Sequence, residues 1–226
     1  MEEESTDTIL RQIRTDLRLS MDGVIAASMR AKGMDYRMNF GVTIPRLKEI
    51  SQKYRQDKTL AEILWKENVR ELKILATMLY PADGMSIETA ERWGAGIGNQ
   101  EIREQACRNL FQGVAFADQL VDRWVKGEDE MLRTTGYWLF ARLCIIRSEV
   151  AARVSNPLLL HCAVEDLKCE SLLLRQSALN ALKYLGRLSE EHATEVLHRV
   201  ELQQEVNETS KSEMLDLLRF EFGCEN

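Results

Sequence analysis

The sequence predicts an all-α protein, a single domain over 1–226 built of stacked helix pairs in a HEAT- or armadillo-like α-α superhelix. Three observations predict it: a helix-forming composition, closely spaced amphipathic runs with capping residues, and an internal repeat. Leu, Ala, Glu, Arg and Lys dominate, β-branched runs are absent, and the only prolines are Pro45, Pro81 and Pro157. Such residues lose little rotamer freedom in a helix, and each proline can sit at a helix start or in a turn.

The runs follow one another with little loop between them. One starts near Thr6, with Ile9, Ile13 and Leu17 on one stripe; the next follows Ser20 and stops at Gly33. Thr43 precedes a run opened by Ile44-Pro45 and continued by Leu47, Ile50 and Tyr54. Further runs are expected near 59–66, 69–80, 86–96, 99–112, 114–126, 129–146, 157–168, 170–186, 189–204 and 208–222. Ser86, Asn99, Asn156 and Ser189 are candidate N-caps, and Gly223 a C-terminal stop.

The repeat consists of an aliphatic residue, a basic residue, two variable positions and a small residue. It occurs at Leu72–Ala76, Ile102–Ala106, Leu132–Gly136 and Leu174–Ala178, so the basic residue falls at 73, 103, 133 and 175. The aliphatic and small residues lie four apart on one helix face, and the small one lets a neighbouring helix approach closely. One such pair cannot bury its apolar face alone, so successive pairs stack into a solenoid with a concave wall. The repeated cations either make inter-repeat salt bridges or line a basic track on that wall.

Net charge is −6, which argues against a general nucleic-acid binder. The charge is uneven, however. Residues 30–73 carry eleven Lys and Arg against six Asp and Glu, whereas 188–226 carry three against ten. The basic stretch either faces a polyanion or forms solvated helix surfaces. No apolar run nears the roughly 18 residues of a membrane span. The N-terminus MEEESTDTIL is acidic and unlike a secretory signal. Cys107, Cys144, Cys162, Cys169 and Cys224 are an odd set, mostly in apolar runs, and read as reduced core residues of a cytoplasmic protein.

Gly94-Ala95-Gly96-Ile97-Gly98 has phosphate-loop character but follows a helix rather than a strand, so it reads as a turn. His161, Cys162 and Cys169 lack metal-ligand spacing, and no metal is expected. Trp65, Trp93, Trp124 and Trp138 read as packing anchors, with room for one to face the groove.

Asn39-Phe40-Gly41-Val42-Thr43-Ile44-Pro45-Arg46-Leu47-Lys48-Glu49-Ile50 resembles the "FGV-x-x-P-x-L-R-x-I" signature of AlkD-type DNA alkylation repair proteins. Leu64-Trp65 followed by Arg70-Glu71 resembles their next block, and the Arg-x-x-Ala helices their later ones. The similarity spans about residues 20–185. It implies a HEAT-like fold, duplex DNA as partner, and a glycosylase, with no metal or organic cofactor, that removes cationic alkylated purines such as 7-methylguanine. A carboxylate would stabilise charge on the departing sugar.

Carried over by position, the family's "N-W-D-x-x-D" segment lies over Asn99–Glu104. Glu104 then stands at the catalytic aspartate, and Gln100 replaces a pocket tryptophan. The paired arginines lie over Arg133-Thr134. A second pocket tryptophan lies over Asn180, in the block starting at Arg175, and the family's N-terminal tyrosine lies over Ser28 or Tyr36. On this reading Glu104 is the catalytic candidate, with Arg133, Arg175, Gln100 and Asn180 as DNA contacts. Loss of two rings leaves excision open. The other reading is a non-enzymatic scaffold for a protein partner or unmodified nucleic acid.

Overall fold

The computed structural model describes residues 5–34, 36–203 and 208–223, the side chain of residue 210 excepted. Two of the expectations above, the acidic start at residues 1–4 and Cys224, lie outside the described residues. No β-strand is formed among the described residues; one isolated parallel bridge joins Met38 to Val69. No helix among them is long and apolar enough to cross a membrane.

Contacts divide the chain into two compact units, one running up to Ser86 and resuming at Ile97–Val114, the other Ile87–Gly96 with Ala115 onward. The first unit holds α1 (Thr6–Leu19), α2 (Gly23–Ala31), α3 (Ile44–Ser51), α4 (Lys58–Lys66), α5 (Arg70–Leu79) and α7 (Gln100–Asn109). The second holds α6 (Ile87–Ala95), α8 (Ala117–Val125), α9 (Glu130–Ile145), α10 (Asn156–Asp166), α11 (Leu172–Gly186), α12 (Glu190–Glu201) and α13 (Glu208–Phe222).

Two boundaries follow the N-caps read from the sequence. Asn99 accepts from the Ile102 N–H and Ser189 from the His192 N–H, each satisfying an orphan donor of the first helical turn. The cap of α10 is Ser155, one residue before the expected Asn156, which takes the first helical position. The run expected to continue to 112 stops at Asn109, and Phe111–Gly113 form a separate tight turn.

In the first unit α3 packs on α5 and α5 on α7, making a row, while α4 pairs with α5. The second unit has two such rows: α9, α11 and α13 succeed one another, and α8, α10 and α12 pack against them. The small residue of the repeat does what the pattern requires. A Cβ placed on Gly136 would lie 2.9 Å from Val125 Cγ1 and 3.1 Å from Trp124 Cβ, so α8 and α9 approach at glycine distance. Ala76, Ala106 and Ala178 are fully buried. Gly94 also packs closely, against Leu132 and Trp124, which is why the glycine-rich segment begins inside a helix.

Candidate nucleic-acid interface

The start of α7 organises the first unit's polar residues. Asn99 uses both ends of its amide: Oδ1 caps the helix, and Nδ2 donates to the Tyr36 hydroxyl at 2.7 Å. The two sequence candidates for the N-terminal tyrosine position differ in their surroundings. Tyr36 sits half-buried against α7, whereas Ser28 is an exposed residue of α2. Burial, reinforced by the charge of Glu101, pushes the Tyr36 phenol up to about 12 despite the Asn99 hydrogen bond.

Gln100 lies between two charges on the same helix. Its Oε1 accepts from Arg103 at 2.6 Å, and its Nε2 donates to Glu104 Oε1 at 2.9 Å. Gln100 and Glu104 are thus brought together, both half-buried. Arg103 is fully buried, and desolvation pulls its pKa down. A guanidinium nonetheless stays charged in proteins, so Gln100 supplies a needed acceptor.

A second polar cluster beneath α7 escaped the sequence reading. Arg70 grips Glu101 with two hydrogen bonds, Nε to Oε2 at 2.8 Å and Nη2 to Oε1 at 2.6 Å. Its Nη1 donates to Glu71 at 2.9 Å and to the Val42 carbonyl at 2.8 Å. Glu71, fully buried, also accepts the backbone N–H groups of Phe40 and Val42. Burial opposes the Arg70 charge, but bonding to Glu101 and Glu71 outweighs it and raises the pKa. The Phe40-Gly41-Val42 segment is therefore tied to α5 through buried charge. Gly41 has φ +71°, and a Cβ there would fall 2.2 Å from the Asp22 carbonyl oxygen, so this turn requires glycine.

Three of the repeated cations, at 73, 133 and 175, have a shared task that neither sequence alternative named. Arg133 Nη1 donates to the carbonyls of Gly127 and Glu128, both at 3.2 Å. Arg175 Nη1 donates to those of Cys169 at 2.6 Å and Glu170 at 2.9 Å, the same offsets of six and five residues. Lys73 reaches back to the Trp65 carbonyl at 2.7 Å, its ammonium 4.6 Å from that indole's ring centre. In these three hairpins the cation closes onto backbone carbonyls: at 73 one in the last turn of the preceding helix, where the helix dipole also favours positive charge, and at 133 and 175 those of the connecting loop.

In the second unit Arg133 additionally pairs with Asp166 at 3.2 Å, and Asp166 accepts from the buried Tyr137 hydroxyl at 2.7 Å. Burial raises the Asp166 pKa against these two partners and pushes the Tyr137 phenol up as well. Asn180 is half-buried on α11. Trp65, Trp93 and Trp124 are buried anchors; Trp138 is half-exposed and donates to Ser177 at 3.1 Å. Cys107, Cys144, Cys162 and Cys169 are free thiols, and burial lifts Cys144 to about 11. Among the described residues no group of three or more His, Cys, Asp or Glu side chains could hold a metal ion.

Comparison with known proteins gives these helices a family. A family model described as DNA alkylation repair enzyme matches residues 13–210. The chain belongs to the DNA alkylation repair enzyme family. Its fold is similar to a solved structure described as representing "a new family of proteins related to the HEAT-like repeat DNA glycosylases with affinity for branched DNA structures". That likeness has a TM-score of 0.73 at 16% identity, over 96% of this chain and 97% of the other. A designed armadillo repeat protein is similar with a TM-score of 0.42 at 11% identity, over 93% of this chain and 98% of that one. No curated protein matches by sequence. The DNA alkylation repair model covers the start of α7 and both arginine hairpins, and the fold class is the HEAT-like helical repeat that the sequence predicted.

Proposed function

We propose that this member of the DNA alkylation repair family binds DNA, and that binding rather than base excision is its retained activity. The observation that carries the reading is Gln100, whose amide occupies the space beside Glu104 and bonds to it at 2.9 Å. An alkylated purine is a cation, and a ring face beside it contributes about 0.5–2 kcal/mol. An amide offers no such face. In the second unit the resemblance places another ring at Asn180, which likewise offers no aromatic face; each such loss costs about tenfold in rate per 1.36 kcal/mol. The carboxylate of Glu104 is kept, so any excision that remains would use it to stabilise positive charge on the sugar.

The binding half of the proposal is supported by family membership and by the branched-DNA affinity described for the relative of like fold. In the second unit Arg133 and Arg175 would reach phosphate with the guanidinium nitrogens not closing hairpins, and Asn180 would offer an amide to the nucleic acid. The test uses the purified full chain on methylated duplex, plain duplex and four-way branched DNA. We expect no 7-methylguanine release above buffer, and a mobility shift that weakens steeply with salt, as phosphate neutralisation requires. Release that Glu104→Gln abolishes would establish a glycosylase instead. Absence of any DNA shift would replace the reading with a protein-binding scaffold.

A further inference from the structure

A cavity of about 640 Å³ opens on the row α3–α5–α7, lined by Lys48 and Gln52 from α3, Met78 from α5, and Gln105, Arg108 and Asn109 from α7. Its lining holds two cations and no carboxylate, in a chain whose net charge is −6. Among the described residues neither Lys48 nor Arg108 has an ion-pair partner, although exposed cations elsewhere do: Arg46 pairs with Glu49, Lys53 with Asp16, and Arg123 with Glu91.

The floor is set as a donor. Thr77 gives its hydroxyl to the Ile74 carbonyl at 2.6 Å and accepts from Asn109 Nδ2 at 2.9 Å. The same Nδ2 donates to Gln105 Oε1 at 3.2 Å, which orients the Gln105 amide with its oxygen engaged. Gln105 is only 8% exposed, and its Nε2, which no acceptor among the described residues takes, is the part open to solvent. A side-chain donor with no protein acceptor is left to bond to water or to a ligand that supplies an acceptor. Ammonium, guanidinium and this amide are all donors, so the complementary ligand is an anion rich in acceptors, and the volume exceeds that of a single small ion.

We infer that this cavity is a phosphodiester subsite: Lys48 and Arg108 take phosphates of one DNA strand, and Gln105 bonds to a phosphate or sugar oxygen between them. The inference rests on the DNA-binding reading above and assigns part of it to named residues. Phosphate contacts position a strand without reading its sequence, so these residues act on all DNA alike.

The test is the Lys48→Ala/Arg108→Ala double variant of the full chain, with Arg11→Ala/Lys66→Ala as a control of equal charge change. All four residues are exposed, and a thermal melt verifies folding. Wild type and both variants are titrated with branched and plain duplex DNA across a salt series. The inference expects the slope of log K against log salt to shrink by about two in the first variant only, with affinity falling equally on every sequence. An unchanged slope in that variant, beside a wild type that binds, overturns the subsite alone. Equal loss in the control also overturns it, since general charge then suffices. A wild type that binds no DNA overturns both the subsite and the reading beneath it.

Discussion

Val42 is held from both sides of its peptide: its N–H donates to Glu71 Oε1 at 3.3 Å and its carbonyl accepts from Arg70 Nη1 at 2.8 Å. Two adjacent residues of opposite charge on α5 thereby fix a loop about thirty residues earlier. Neither charge reaches water, because Arg70 is 1% exposed and Glu71 0%.

Such a cluster is far more sensitive to losing one member than its net worth suggests, since the survivor stays buried and uncompensated. Glu71→Ala is expected to cost about 3–5 kcal/mol. Urea unfolding measures it, and a loss below about 1 kcal/mol would mean that the loop and Arg70 find other partners.

Glycine at 41 and at 33 should differ in a predictable way. Both have positive φ, +71° and +81°, but only at Gly41 would a Cβ collide with backbone, whereas Gly33 has nothing within 4 Å. Gly33→Ala should lose about 1 kcal/mol from left-handed strain alone. Gly41→Ala should lose at least about 2 kcal/mol more, because the Asp22 peptide must move. Equal melting shifts in the two variants would contradict this geometry.

The hairpin clamp predicts that charge and reach matter at 175, and the planar fork does not. Arg175→Met should lose about 1.5–3 kcal/mol, the range for hydrogen bonds made by a charged group. Arg175→Lys should keep most of it, because Lys73 closes its own hairpin with an ammonium. If Arg175→Met melts like wild type while DNA binding drops, the side chain serves phosphate instead of the turn.

Tyr36 provides a pH signature. Its folded pKa of about 12 stands above the ordinary 10, so the folded state keeps a proton that the unfolded chain releases. The contribution is therefore fully present below pH 10 and is lost as pH rises toward 12. Stability of wild type should fall relative to Tyr36→Phe across that window, with the phenolate absorbance of the folded protein appearing late. Parallel curves for the two proteins would place Tyr36 in water.

Helix order, the repeat step, the burial of Ala76, Ala106, Gly136 and Ala178, and the caps Asn99 and Ser189 were legible in the residues, because apolar periodicity and capping are properties of neighbours within a few positions. The family block at 39–50 was legible too, though not its reason. That reason is a glycine pressed on the Asp22 carbonyl and a carboxylate arriving from α5. Which partner a polar side chain takes is decided across tens of residues, and a sequence carries no local mark of it. Arg70 and Glu71 accordingly read only as part of a family block and Glu101 only as part of the segment at 99–104, and the cations at 73, 133 and 175 showed their spacing but not the carbonyls they close upon. Only the packed chain settles those choices, since removing a charge from water leaves it no option but the acceptor or donor that the fold brings alongside.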